Sequence, residues 1–158
     1  MQRYITLTPD ILAQYKENKM AERSFGSKLE YATSGGSTYT TVSNATSIGF
    51  PAPEIDEIEI TNHDSTGGYR EFLPGLKDGG TVDFEGVVSS DAVVTGLQAA
   101  FDATVVYNWK ITTRSGAVWT FDGYMASFGE GDAEIDSART YTGSIRVSGK
   151  PTFTAASS

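Results

Sequence analysis

Beyond Met20 the hydrophobic positions recur mostly with a period of two. "GTVDFEGVV" sets Val82, Phe84 and Val88 against Thr81, Asp83 and Glu85, the pattern of a strand with one buried face. "EIDEIEITN" sets Ile58 and Ile60 against Glu57, Glu59 and Thr61. Two hairpins are marked by turn residues between such runs. Ser34-Gly35-Gly36 joins "SKLEYAT" to "STYTTVSNA", and Arg114-Ser115-Gly116 joins "TVVYNWKITT" to "AVWTFDGYMASF". "ARTYTGSIRVSG" reads as a last strand that ends at Pro151.

One segment breaks the period. In "SSDAVVTGLQAAFDA", Val93, Val94, Leu97, Ala100 and Phe101 recur at helical spacing. Ser90 stands at the capping position and Asp91 in the first turn, while Gly96 weakens the helix. The pattern predicts an all-β protein with one helix, a β-sandwich or partly closed barrel.

The ends differ from the middle. "TPDILAQYKENK" reads as a short helix, with Thr8 as cap, Pro9 at its first position and Asp10 in its first turn. Met20 could itself be a start, so residues 1–19 read either as an added leader or as an arm that docks on a partner. Residues 20–153 form the expected domain, and 154–158 a polar tail.

Composition narrows the chemistry. The 158 residues suffice for one domain with a core. Seventeen Gly among many Ser and Thr fit a turn-rich β protein. The chain has no cysteine, so disulfides, thiolate metal sites and cysteine nucleophiles are excluded. A net charge of −8 argues against a basic nucleic-acid-binding face. No apolar run approaches membrane-spanning length and the N-terminus lacks a secretory apolar stretch, so the expectation is a soluble protein made inside the cell.

Catalytic signals are weak. His63 is the one histidine and lies in a polar turn, where a turn or interface role outweighs catalysis. There is no G-x-S-x-G elbow, P-loop, H-E-x-x-H or G-x-G-x-x-G. Glu130, Asp132, Glu134 and Asp136 sit two apart and on a strand would share a face. That spreads carboxylates where calcium needs them wrapped, so a solvated or channel-facing edge is preferred. A glycosidase-type carboxylate pair has no specific signal. Trp109 and Trp119 suit core packing better than an exposed carbohydrate platform. The expectation is no catalysis, no metal and no cofactor.

The unusual stretch is "STGGYREFLPGLKDGG". Gly67-Gly68 and Gly79-Gly80 permit sharp turns at its ends. Between them Tyr69, Phe72, Leu73 and Leu76 are apolar and Pro74 stiffens the tip of what reads as a surface loop. Burying each large apolar side chain is worth roughly 1.5–3 kcal/mol. Either the loop folds back on its own sheet or it buries these groups on another subunit, with Arg70, Glu71, Lys77 and Asp78 setting register.

From "EIDEIEITNHDS" through "GGYREFLPGLKDGG" and "TVDFEGVV", and on through "SDAVVTGLQAAF", "YNWKITTRSGAVWTFDGYMASF" and "ARTYTGSIRVSGKPTF", the chain resembles the tail tube (major tail) proteins of long-tailed bacteriophages. The resemblance covers Met20 to about Phe153. It implies a virion protein, made in the bacterial host cytoplasm, that forms hexameric rings stacked into a hollow tube. The tube would surround a tape-measure protein, end at tail-tip and terminator proteins, and later pass genomic DNA without specific binding. It also implies that Tyr69, Arg70, Phe72, Leu73, Pro74 and Leu76 reach the neighbouring ring. Polar alternation then supplies lumen-facing candidates: Glu57, Glu59, Asp83, Glu85, Thr142 and Ser144, with Arg146 neutralising a nearby carboxylate. The alternative is a monomeric β-sandwich module that binds a ligand or carbohydrate.

Overall fold

The computed structural model describes residues 25–131 and 135–156. The helix expected at "TPDILAQYKENK", Met20, and Asp132 and Glu134 of the acidic cluster lie outside the described residues. Nine strands and one α-helix are present among the described residues. They run β1 (Lys28–Thr33), β2 (Thr40–Thr41), β3 (Ala45–Ile48), β4 (Glu54–Glu59), β5 (Phe72–Asp78), β6 (Thr81–Val87), α1 (Asp91–Asp102), β7 (Tyr107–Thr112), β8 (Val118–Glu130) and β9 (Thr140–Thr154).

Seven strands form one antiparallel sheet in the order β2-β1-β7-β8-β9-β6-β3. Its two edge strands are halves of one chain segment. Val42 N–H donates to Leu29 O at 2.8 Å on one side of the sheet, and Val87 N–H donates to Asn44 O at 3.0 Å on the other. The segment from Thr40 to Ile48 therefore crosses from one edge to the other, and the curled sheet approaches a closed barrel. Tyr141 hydroxyl donates to Ser43 O at 2.6 Å, pinning the crossing point. The expected partly closed barrel with one helix is what forms.

The inward positions follow from the alternation. Leu29, Val82, Trp109, Ile111, Tyr141 and Ile145 are fully buried. Helix α1 adds Leu97 and Ala100, with Val93 and Phe101 partly buried beside them. Trp109 Nε1 donates to Gly123 O at 3.0 Å, so the indole is buried without stranding its polar atom. At Gly143 a Cβ would overlap the Phe84 ring, so that site on β9 requires glycine. Ser90 occupies the N-cap position of α1 but makes no side-chain capping bond.

Three expectations change. The Phe72-Leu73-Pro74 cluster is a strand, β5, and not part of a surface loop. It pairs with β4 as a separate two-stranded sheet. Proline within the run disguised it, since Pro cannot donate to a ladder. It is tolerated because the pairing bulges there, between Ile55↔Lys77 and Glu57↔Pro74. Strand β9 likewise runs through Pro151 to Thr154. A shift between Asp122↔Ser148 and Thr120↔Thr152 accommodates the proline, with Gly149 at φ +82°. Of the acidic cluster's described members, Glu130 ends β8 and Asp136 lies in an exposed turn, so these two do not share one strand. Arg139 there joins Glu130, at 2.6 Å, to Asp91 at the start of α1, at 3.1 Å. Both carboxylates, Glu130 foremost, raise the guanidinium pKa further.

Candidate assembly interface

The β4–β5 hairpin packs against no face of the main sheet. All six residues of β4 are exposed, and on β5 only Gly75 and Asp78 are even partly covered. Directly paired residues share a face. One face therefore carries Ile58 and Leu73, and the other carries Glu57 and Glu59 beside Pro74 and Phe72. Ile58 and Leu73 are 53% and 51% exposed, Phe72 47% and Leu76 82%. A strand half-buried on its own domain keeps one polar face; this hairpin carries exposed apolar side chains on both, Ile58 and Leu73 on one and Phe72 and Pro74 beside the glutamates on the other. An isolated two-stranded hairpin is marginal in water, which makes this exposed apolar patch a candidate interaction surface. Of the two alternatives open in the sequence, the hairpin does not fold back on the main sheet among the described residues.

The tip is built from short polar links. Glu71 N–H donates to Thr61 Oγ1 at 3.0 Å, and Asp64 N–H to Asn62 Oδ1 at 2.8 Å. Ser65 Oγ donates to Glu71 Oε2 at 3.1 Å. Gly67 and Gly68 take φ of +69° and +74°, turning the chain toward Tyr69, which is 78% exposed. Arg70 lies 3.9 Å from Glu59. His63 is exposed in the turn beside them.

The foot of the hairpin is anchored. Arg146 on β9 donates a hydrogen bond to Asp78 Oδ2, and Gly80 N–H donates to Asp78 Oδ1 at 2.8 Å. The Gly80 amide first, then Arg146, hold the Asp78 carboxyl below the usual carboxylate range. Gly80 has φ +75°, and a Cβ there would lie 2.6 Å from Ala52 O. Arg146 thus pairs with a carboxylate, as its place in the pattern suggests.

The second surface is the outer face of the main sheet. Asp83 on β6 pairs with Ser144 on β9, and Glu85 pairs with Thr142. These four, with Ser47 and Ser127, line a shallow depression of about 290 Å³. Glu57 and Glu59 are not part of it, because they stand on the separate hairpin. Farther along the same sheet, Lys110 is neutralised by Glu30 at 2.7 Å. Asn108 Nδ2 donates to Asp122 Oδ1 at 3.0 Å. Among the described residues, Asp83 and Glu85 have no cationic partner.

Sequence reasoning missed two features. The Asp78–Arg146 link was invisible because it joins residues 68 apart in sequence. An apolar groove at the hairpin foot, of about 580 Å³, is lined by Pro53, Trp119, Pro151 and Phe153. Trp119, expected in the core, is only half-buried and meets the Phe153 ring at a tilt of 48°, 5.2 Å between centroids. Trp109 is fully buried in the core, and Trp119 packs against the margin of that core. Among the described residues, no three His, Asp or Glu side chains gather as metal ligands, and no helix is long and apolar enough to cross a membrane.

A family model described as phage tail tube protein matches residues 27–153. Comparison with curated proteins finds no match. Among solved structures, the fold is similar to that in the tail of an empty GTA particle, determined with C6 symmetry. There the TM-score is 0.70 at 16% identity, over 85% of this chain and 100% of that one. It is also similar to a chain in the sheath-tube complex of the PVC extracellular contractile injection system. That match has a TM-score of 0.66 at 12% identity and covers 95% of this chain and 99% of that one. The SPP1 tail tube matches with a TM-score of 0.59 at 13% identity, over 80% and 75% of the respective chains.

Proposed function

From the premise that the chain belongs to the phage tail tube protein family, structural components of the virion tail, we propose that it polymerises as six-membered rings stacked into a hollow tube. The observation that carries this reading is the β4–β5 hairpin, which bears apolar side chains on both faces and is left exposed among the described residues. In the stack, Tyr69, Arg70, Phe72, Leu73, Pro74 and Leu76 contact the neighbouring ring. Six-fold closure is supported by the symmetry of the similar GTA tail.

The outer sheet face lines the bore. What supports this is its chemistry: Lys110 and Arg146 are each spent on a carboxylate, whereas Asp83 and Glu85 have no cationic partner among the described residues. Uncompensated negative charge repels phosphates, so DNA slides past Asp83, Glu85, Thr142 and Ser144 without binding. Glu57 and Glu59 belong to the ring contact and not to the bore. A tape-measure protein occupies the bore before DNA does, and tail-tip and terminator proteins cap the tube. The role is structural and not enzymatic. The protein is made in the bacterial host cytoplasm and ends in the virion.

Residues 20–153 act as the tube subunit, residues 1–19 as a leader or docking arm, and 154–158 as a tail. The family match sets aside the monomeric ligand- or carbohydrate-binding module. Negative-stain electron microscopy of the concentrated protein tests the reading. Hollow tubes of uniform width are expected; a protein that stays monomeric even when mixed with preformed tail tips contradicts it.

A further inference from the structure

The groove at the hairpin foot has apolar walls, Pro53, Trp119, Pro151 and Phe153, and two lysines, Lys77 and Lys150. Phe153 is 54% exposed. Both lysines are exposed, and among the described residues neither has an ion-pair partner. An apolar slot flanked by unpaired cations suits a ligand that is apolar and carries carboxylates.

The hairpin offers that surface. Register pairs Glu59 with Phe72 and Glu57 with Pro74, so one face sets an aromatic ring and a proline beside two glutamates. Glu57 has no cationic partner among the described residues, and Glu59 has only the distant Arg70 at 3.9 Å. Ridge and groove therefore match in apolar content and are opposite in charge, the arrangement that fixes partner and register.

The hairpin cannot fill its own groove. Asp78 ends β5 at the foot and Phe72 begins it, six residues away, or roughly 20 Å along an extended strand. We infer that the groove receives the Glu57–Glu59–Phe72–Pro74 face of the hairpin from a second copy of the chain. In that contact Lys77 and Lys150 meet the two glutamates, and Phe72 packs against Phe153 and Trp119. The contact is heterologous, with different patches on the two copies, and such contacts repeat open-endedly when no rotation closes them. That is what lengthening a tube requires. The inference rests on the tube reading and supplies the acceptor that reading leaves unassigned.

Because the chain has no cysteine, the contact can be trapped. Glu57→Cys and Lys150→Cys proteins, mixed in equal amounts and oxidised during assembly, are expected to give disulfide heterodimers. The double variant Lys77→Glu/Lys150→Glu should melt like the wild type but lose assembled material by about tenfold or more, as for a buried charge pair set against itself. Adding Glu57→Lys/Glu59→Lys to the same chain should restore assembly. Tubes that form without heterodimers, or Glu57→Cys homodimers in their place, overturn the inference and leave the tube reading standing. A wild-type chain that never assembles, together with Glu57→Cys and Lys150→Cys proteins that never yield heterodimers, overturns both.

Discussion

Arg146 donates a hydrogen bond to Asp78 across the junction between the seven-stranded sheet and the projecting hairpin. One residue belongs to β9, in the body; the other ends β5, in the arm. The same carboxylate accepts from Gly80 N–H at 2.8 Å. The foot of the arm is thus tied to the body by one side chain held from two sides, beside the Val147 N–H to Gly80 O bond at 3.1 Å.

That link is sensitive to acid. The Asp78 pKa is depressed in the folded protein, by the Gly80 amide and then by Arg146. Its stabilising share is therefore complete above the unfolded-state value, roughly pH 4. It is lost as pH falls through the lower folded value. Protection of hairpin-foot amides against hydrogen exchange, corrected for the intrinsic pH dependence, should fall over that acid range in the wild type. In Asp78→Asn the foot should exchange faster at neutral pH and show little further acid dependence. Equal protection in both proteins at neutral pH would contradict the role.

The exposed hairpin separates folding from assembly. Leu73→Asp removes no contact with the core, so monomer stability should change by no more than about 0.5 kcal/mol. Assembly should be abolished, and Phe72→Ala should weaken it. Thermal melting with sedimentation velocity on the same samples checks both. A large drop in melting temperature would mean that the hairpin is part of the monomer's own core.

Trp109 behaves oppositely. It is fully buried and donates to Gly123 O at 3.0 Å. Trp109→Ala should cost roughly 3–5 kcal/mol, read from denaturant unfolding, with assembly failing because the subunit fails.

On the outer sheet face, charge decides what binds. Asp83→Lys/Glu85→Lys should leave the fold intact, since both side chains point to solvent. The variant should retain single-stranded or duplex DNA in a salt-dependent manner that the wild type lacks. Fluorescence anisotropy with a labelled oligonucleotide at low and high salt measures this; no gain in binding would remove these residues from the bore.

The body was legible because each strand's pattern has its cause inside the chain. Val82 and Phe84 alternate with Asp83 and Glu85 because one side meets Trp109 and Ile145 and the other meets water. Leu97 and Ala100 recur at helical spacing because α1 lies on that same core. The hairpin was harder for two reasons. Pro74 and Gly75 interrupt the strand signal of β5, and only the bulge opposite Asp56 makes them compatible with pairing. The alternation of "EIDEIEITN" also resembles that of a half-buried strand, yet no part of the described chain covers Ile58. The Trp119–Phe153 groove depends on β9 continuing past Pro151, which a proline in sequence argues against, while the Asp78–Arg146 link joins strands of two different sheets 68 residues apart.

The most direct test is a helical cryo-EM reconstruction of tubes grown from the purified chain. The account predicts six-membered rings with Asp83, Glu85, Thr142 and Ser144 facing the bore, and the β4–β5 hairpin lying between rings with Phe72 and Leu73 buried. A tube whose bore is lined by the α1 side of the subunit, or whose hairpins project freely into solvent, would contradict it.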